Sequence, residues 1–343
     1  MDYFVGTSIG IRYIRVITIV NRYMPFLHII ALGYGRFQQN TQPCLESLLP
    51  IPQEIEATVF DNGSADDSPS QQSLFIKQNH LIHSILNQDN LGFAGGMNAA
   101  VNQLPGPCEW LLLVGNDTVF HPQALQRLLR ALKEVSKDIG ILGPLTNCAG
   151  TGQALMSLGQ SASEVFKNWS QLPQHEEPIF SPLYRADFFC VAIRKSLWDA
   201  LGGLDLSYGR GYYEDFDFCM QAKGKGFQTV MLENALVFHQ GSASFKHDTT
   251  QSELIKTNKA IFLKKFPRAE LRHRRLDLYQ AIEHDLSNNY DGDKALFIEH
   301  LSEMRIESLR NDLPKSPIKR LIWKARIASI SKKLARFKNA IAL

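Results

Sequence analysis

Three acids in four residues, Glu214, Asp215 and Asp217, stand among the aromatics Tyr212, Tyr213, Phe216 and Phe218. Such surroundings take water away from a carboxylate and raise its proton affinity, as a general base requires. The same acids open a helix that runs to about Lys223 and ends at Gly224. Acids in a first helical turn also serve the helix dipole, which pulls proton affinity the other way. A second candidate is Asp117, which follows the apolar run Trp110-Leu111-Leu112-Leu113-Val114 and then Gly115-Asn116. An acid delivered at a strand end can hold a divalent cation against phosphate oxygens, although Gly-Asn-Asp is also an ordinary turn. Two further strand ends carry Asp61-Asn62-Gly63-Ser64 and Asn90-Leu91-Gly92-Phe93-Ala94-Gly95-Gly96-Met97-Asn98. Asp61 can accept from a base or ribose, and Gly92, Gly95 and Gly96 let backbone approach a diphosphate ahead of a helix N-terminus.

These groups need strands to deliver them. The unalternating run at 110–114 predicts a strand covered on both faces, as in a parallel α/β sheet, whose C-terminal edge binds ligands. Phe26–Leu32, Ala57–Phe60 and Ile82–Leu86 read as three more strands, and Phe188–Ile193 and Phe227–Leu232 as the last two. Helices are predicted near Thr41-Pro43 with Leu45, Leu48 and Leu49 inward, from Pro122 with Leu125, Leu128, Leu129 and Leu132 inward, and over Ser196–Leu201, stopped by Gly202-Gly203. The region from Gly143-Pro144 to about Arg185 lacks periodicity and reads as a surface excursion that touches substrate. Val16–Val20 has strand composition and no evident place. None of the glycine stretches is a G-x-x-x-x-G-K-[ST] loop, which excludes a P-loop NTPase, and G-x-x-G-G is a poor dinucleotide fingerprint.

Composition bounds the class. At 343 residues, 44% hydrophobic and 21% charged, the chain has ample material for a core, and no apolar run reaches the length of a membrane span. The five cysteines are scattered and free of any C-x-x-C pair, which argues for a reducing, cytoplasmic setting. The net charge of +3 is uneven, because nine Lys/Arg and no Asp/Glu follow position 314, and subtracting those nine leaves −6 on the rest. A nucleic-acid-binding body is thereby disfavoured.

Taken together, four stretches resemble the family 2 glycosyltransferases of GT-A fold, in particular their rhamnosyltransferase-like branch. They are Cys44–Leu48 with Val59–Ser64, Asn90–Asn98, Leu113–Thr118, and Gly202-Gly203-Leu204-Asp205 through Tyr213–Asp217 to His239. Order and spacing agree over 26–268. The resemblance implies a Rossmann-like, mostly parallel sheet flanked by helices over 26–268, and it leaves an N-terminal extension at 1–25 and a C-terminal region at 269–343, whose pattern reads as helical, outside it. It implies an inverting, metal-dependent transfer of sugar from a UDP- or dTDP-sugar to a glycan or lipid-linked acceptor. Asp61, Asn62 and Gly63 would contact the nucleotide, and Asn90, Gly92, Gly95, Gly96, Asn98 and Asn116 would line its pocket. Asp117 would hold Mn²⁺ or Mg²⁺ on the diphosphate, and His239 matches a histidine that reaches the metal in some members. Asp215 would be the base, supported by Glu214 and Asp217. The sequence departs from the family pattern at Gly115, where Asn or Asp is usual, and at Gly33-Tyr34-Gly35-Arg36 after the first strand. These departures motivate a rival, a non-catalytic nucleotide-sugar or glycan-binding protein on the same fold. A sugar nucleotidyltransferase would want more Lys/Arg after the first strand than Arg36.

In the tail, 269–312 predicts two helices. Beyond Pro317, the residues Trp323, Ile327, Ile330, Leu334, Phe337 and Ile341 recur at alternating spacings of four and three. That stripe, between faces rich in Lys/Arg, fits either a helix on an anionic membrane at the inner face of the cytoplasmic membrane, through 315–343, or a helix packed on protein.

Overall fold

A computed structural model describes residues 24–241 and 251–341. The stretch Val16–Val20 and residue Ser242 lie outside them. Nine strands make one sheet: β1 (Leu27–Gly33), β2 (Ile55–Asn62), β3 (Ile82–Asn87), β4 (Trp110–Gly115), β5 (Thr118–Phe120), β6 (Ile139–Leu145), β7 (Phe180–Pro182), β8 (Cys190–Arg194) and β9 (Gln228–His239). Across the sheet they run β3-β2-β1-β4-β8-β6-β9-β5, with β7 also paired to β9. Helices α1 (Gln42–Glu46), α2 (Ser68–Gln78), α3 (Gly92–Asn102), α4 (Ala124–Glu134), α5 (Ala162–Trp169), α6 (Lys195–Leu201) and α7 (Glu214–Gly224) connect and cover it. They are followed by α8 (Gln251–Lys265), α9 (Arg274–Asp285), α10 (Gly292–Asn311) and α11 (Pro317–Ile341).

The apolar runs that predict covered strands do form them. Every residue of β1 is buried, and Trp110 through Val114 are fully inaccessible, with α3 on one face and α1 and α4 on the other. Leu125, Leu128, Leu129 and Leu132 form the inward stripe of α4. The strands β3, β2, β1 and β4 are parallel, so their C-terminal ends share one edge. Beyond β4 the sheet departs from the mostly parallel expectation. It is mixed: β8 runs antiparallel to both β4 and β6, and β5 and β7 run antiparallel to β9.

Two other departures have local causes. The strand expected to stop at Leu232 continues to His239, because Glu233 and Asn234 are paired rather than solvated: Arg305 holds Glu233, and Asn234 donates to the carbonyls of His175 and Glu177. The excursion after Pro144 runs over the surface but sends an apolar set of side chains inward. Leu155, Leu158, Val165 and Trp169 are fully buried, and Trp169 meets Phe297 of α10 edge to face at 5.8 Å.

The C-terminal helices share this core. Ile327, Ile330 and Leu334 of α11 are buried, and Trp323 packs edge-on to Tyr279 of α9 at 6.1 Å. The apolar stripe read from the sequence therefore faces protein. Releasing it would forfeit about 1.5–3 kcal/mol for each large buried side chain. Among the described residues no helix is long and apolar enough to cross a membrane.

Candidate active site

A cavity of about 590 Å³ opens at the C-terminal edge of the parallel strands. It is lined from the sheet side by Asn62, Asn90, Gly92, Asn116, Asp117 and His239, and from the other side by Arg185, Glu214 and Asp215. Asp117 and Asp215 thus open onto one space.

The pairing of β5 with β9 brings Asp117 to His239. Thr118 is in register with His239, and the amide of Gln240 donates to the Asp117 carbonyl at 2.9 Å. The His239 Nε2 then lies 3.5 Å from an Asp117 carboxylate oxygen, while its Nδ1 lies 2.8 Å from the Cys148 carbonyl. A carbonyl only accepts, so Nδ1 carries a proton and Nε2 is left to face Asp117, donating to it when the ring is protonated and offering a lone pair when it is neutral. Phe189 stacks on the ring at 5.1 Å. Burial alone would lower the His239 pKa, yet Asp117 carries it above its ordinary value, so the pair attracts positive charge. This donor set fits a hard divalent cation. Among the described residues no cluster of three or more His, Cys, Asp or Glu stands ready for a metal, so oxygen atoms of a bound molecule and water would have to complete the shell. The sequence departure at Gly115 has a steric sense here. A Cβ at that position would lie 3.1 Å from an Asp117 carboxylate oxygen, so glycine leaves room for that carboxylate at the strand end.

Asp215 is delivered by the loop before α7. Tyr212 and Tyr213 both take positive φ, 70° and 77°, a conformation that costs non-glycine residues about 1–3 kcal/mol each. What holds them is Asn258 of α8, 2% exposed, whose amide nitrogen lies 2.7, 2.8 and 3.0 Å from the carbonyls of Tyr208, Gly211 and Tyr212. The Asp215 carboxylate meets Arg185 at 3.3 Å, and Arg185 also binds Asp187 at 2.5 Å and lies over the Phe216 ring. Burial raises the Asp215 pKa, with Arg185 opposing and Asp187 adding to it. Glu214 rises for the same reason and through the neighbouring Asp215, and its Oε2 is buried without a hydrogen-bond partner among the described residues. Arg185 thus stands between Asp187 and Asp215, and the Glu214 Oε2 is the carboxylate oxygen left over beside them.

Not every expected residue reaches this space. Asp61 is 2% exposed and turns both carboxylate oxygens onto Ser64, at 2.5 and 3.0 Å, so it builds the turn after β2 and does not line the cavity. Gly63, Gly95 and Gly96 are places of close packing. A Cβ on Gly63 would lie 2.4 Å from the Asp89 backbone, on Gly95 2.9 Å from Leu91, and on Gly96 2.8 Å from Leu32. Asn98 binds both the amide and the carbonyl of Leu204, joining α3 to the turn after α6. Asn116 lines the cavity and donates to Thr41 at 2.9 Å. Asp217 is fully buried, held by Tyr208 and Lys265. Arg185 and Asn258 carried no sequence signal, since Arg185 reaches Asp215 across 30 residues and Asn258 reaches the loop before α7 across 46 to 50.

Residues 29–198 match the sequence model described as Glycosyl transferase family 2. Glu214, Asp215, Asp217 and His239 lie beyond that match. An uncharacterised protein of Sinorhizobium fredii, y4gI, is 33% identical over 61 residues, 18% of this chain and 7% of that relative's length. Among solved structures, GalNAc-T7 with UDP, GalNAc and Mn²⁺ aligns with a TM-score of 0.52 at 13% identity, over 83% of this chain and 55% of that one. A mannosyltransferase of Pyrobaculum calidifontis, in complex with GDP-Man and Mn²⁺, aligns at 13% identity with a TM-score of 0.47, over 92% of this chain and 88% of that one. The family match and the fold agree with the arrangement of strands around the cavity: residues 29–198 carry a family 2 glycosyltransferase domain, and the fold is of GT-A type.

Proposed function

We propose that the protein is an inverting glycosyltransferase that moves a sugar from a nucleoside-diphosphate donor to a hydroxyl of a glycan or lipid-linked acceptor. The observation that carries this is the opening of Asp117, His239 and Asp215 onto one cavity of about 590 Å³, a volume suited to a nucleotide sugar. Tyr34, Asn62 and Asn90 offer the nucleoside side of that cavity an aromatic face and amide groups. Asp117 and His239 would hold Mn²⁺ or Mg²⁺, which when bound neutralises charge on the leaving diphosphate. Across the cavity the Asp215 carboxylate takes the proton of the acceptor hydroxyl. That oxygen bonds to the anomeric carbon, the bond to the diphosphate breaks, and a single displacement inverts the centre. Arg185 keeps Asp215 aimed into the cavity, and Glu214, with its proton affinity raised, can donate a hydrogen bond to the acceptor.

Incubating the purified chain with UDP-, dTDP- and GDP-sugars and Mn²⁺ tests this reading. Nucleoside diphosphate should be released, and Asp215→Asn should slow release by about 10²–10⁴-fold, the usual worth of a positioned base, with nucleotide binding retained. Chelation of the metal should stop turnover. Nucleotide binding without turnover of any donor would instead support the non-catalytic reading.

A further inference from the structure

The helix α11 carries two apolar faces. One is the packed stripe of Trp323, Ile327, Ile330 and Leu334. The other is Ile318, Leu321 and Ile322, which are 75%, 71% and 49% exposed. These three recur at i, i+3 and i+4 and so share a face, continued by the exposed Ala325. At about 3.6 residues per turn this face points nearly opposite to the packed one. Residues 317–322 are all exposed, so the start of the helix projects from the body.

Charge divides the helix in the same way. In the packed half Lys338 is paired with Glu299 and Glu303, and Lys333 reaches Ser287. At the projecting end Lys315, Lys319, Arg320 and Lys324 flank the apolar face on both sides, all exposed, with no ion pair among the described residues. No acid occurs anywhere from Lys315 to the end of the chain. Apolar side chains in the middle and basic ones on both flanks match the boundary of an anionic bilayer, where the first enter the acyl region and the second meet phosphates.

We infer that the outward face of the first half of α11, Ile318, Leu321 and Ile322 with Lys315, Lys319, Arg320 and Lys324, docks the protein on an anionic lipid surface. The packed stripe stays on the protein throughout. None of these residues lines the cavity, so docking and sugar transfer are separable.

Flotation of the full chain with phosphatidylcholine vesicles, with and without phosphatidylglycerol, tests this. The protein should float with the anionic vesicles and be released by salt. The triple variant Ile318→Glu, Leu321→Glu, Ile322→Glu should lose at least about tenfold in recovery with Tm unchanged, because the replaced side chains are exposed. Lys319→Gln with Arg320→Gln and Lys324→Gln should lose binding while leaving donor hydrolysis intact. Equal flotation of the triple variant and the wild type would overturn the proposal, as would no flotation of the wild type at low salt. It would also be overturned if the triple substitution abolished self-association or RNA binding in the absence of lipid, or if deleting residues 1–23 alone removed flotation.

Discussion

An arginine between carboxylates is built twice in this molecule. Arg305 binds Glu233 at 2.5 Å and Asp285 at 2.7 Å, with all three side chains fully buried. Arg185 binds Asp187 at 2.5 Å and Asp215 at 3.3 Å, with each side chain about one-fifth exposed to the cavity. The first is closed by Ser181, which donates to Asp285 at 2.7 Å, and it ties α10 to β9 and α9. The second stays open, with Glu214 adding a further acid. What separates them is access. A sealed cluster can only hold elements together, whereas an open one with spare carboxylate can take a proton from a ligand.

The largest effect after loss of Asp215 itself should come from opening the sealed cluster. Arg305→Ala strands two buried carboxylates and should cost about 3–5 kcal/mol of stability. Unfolding followed by circular dichroism would show it, and the folded fraction at low temperature should keep its kcat. A kcat that collapsed while Tm held would contradict the division of roles.

Smaller effects appear in pH dependence, and the two clusters should report it through different observables. In the sealed one, burial raises the Glu233 pKa against the opposing Arg305 charge. A carboxyl whose folded pKa lies above its unfolded value adds stability that is complete below about pH 4 and is lost as pH rises through the raised folded value. Glu233→Gln should flatten that part of the stability profile and leave the rate profile unchanged. In the open one, Asp215 must be ionised to act as base, so activity should fall as pH drops through its raised pKa. Arg185 holds that pKa down, so Arg185→Gln should move the acid limb of kcat to higher pH by about one unit. A limb that stayed fixed would remove Arg185 from the work of Asp215.

Legibility in the sequence followed the range of the interactions. The ends of β1, β2, β4 and the start of α7 could be read because continuous apolar runs and turn residues act locally. The strand β6 was hidden by Gly140, Gly143 and Pro144, which sheet propensity counts against it; Gly140 is needed because a Cβ there would lie 2.6 Å from Leu197. The full length of β9 was hidden by Glu233, whose partner is 72 residues away. In the site, Asp117 and Asp215 could be named because each ends or begins an element. Asp61, Gly95, Gly96 and Asn98 share the motif pattern but take up packing and turns. Arg185 and Asn258 could not be found, since the partners that bring them to the site, Asp215 for one and the carbonyls of Tyr208, Gly211 and Tyr212 for the other, lie 30 or more residues away in sequence.

The smallest effect separates the delivery of Asp215 from its charge. Asn258, on a helix beyond the matched family region, holds three carbonyls of the loop that keeps Tyr212 and Tyr213 at positive φ. Asn258→Ala removes that hold. The two tyrosines can then relax toward ordinary φ, and Asp215 turns further into water. The expected result is a severalfold fall in kcat, up to about tenfold or ~1.4 kcal/mol, with the donor KM little changed. The acid limb should move toward the ordinary carboxylate range, opposite in sign to the Arg185→Gln shift, because a better-solvated carboxyl loses its proton more readily. A lower Tm with an unchanged pH profile would make Asn258 a packing residue, and Arg185 alone would then govern Asp215.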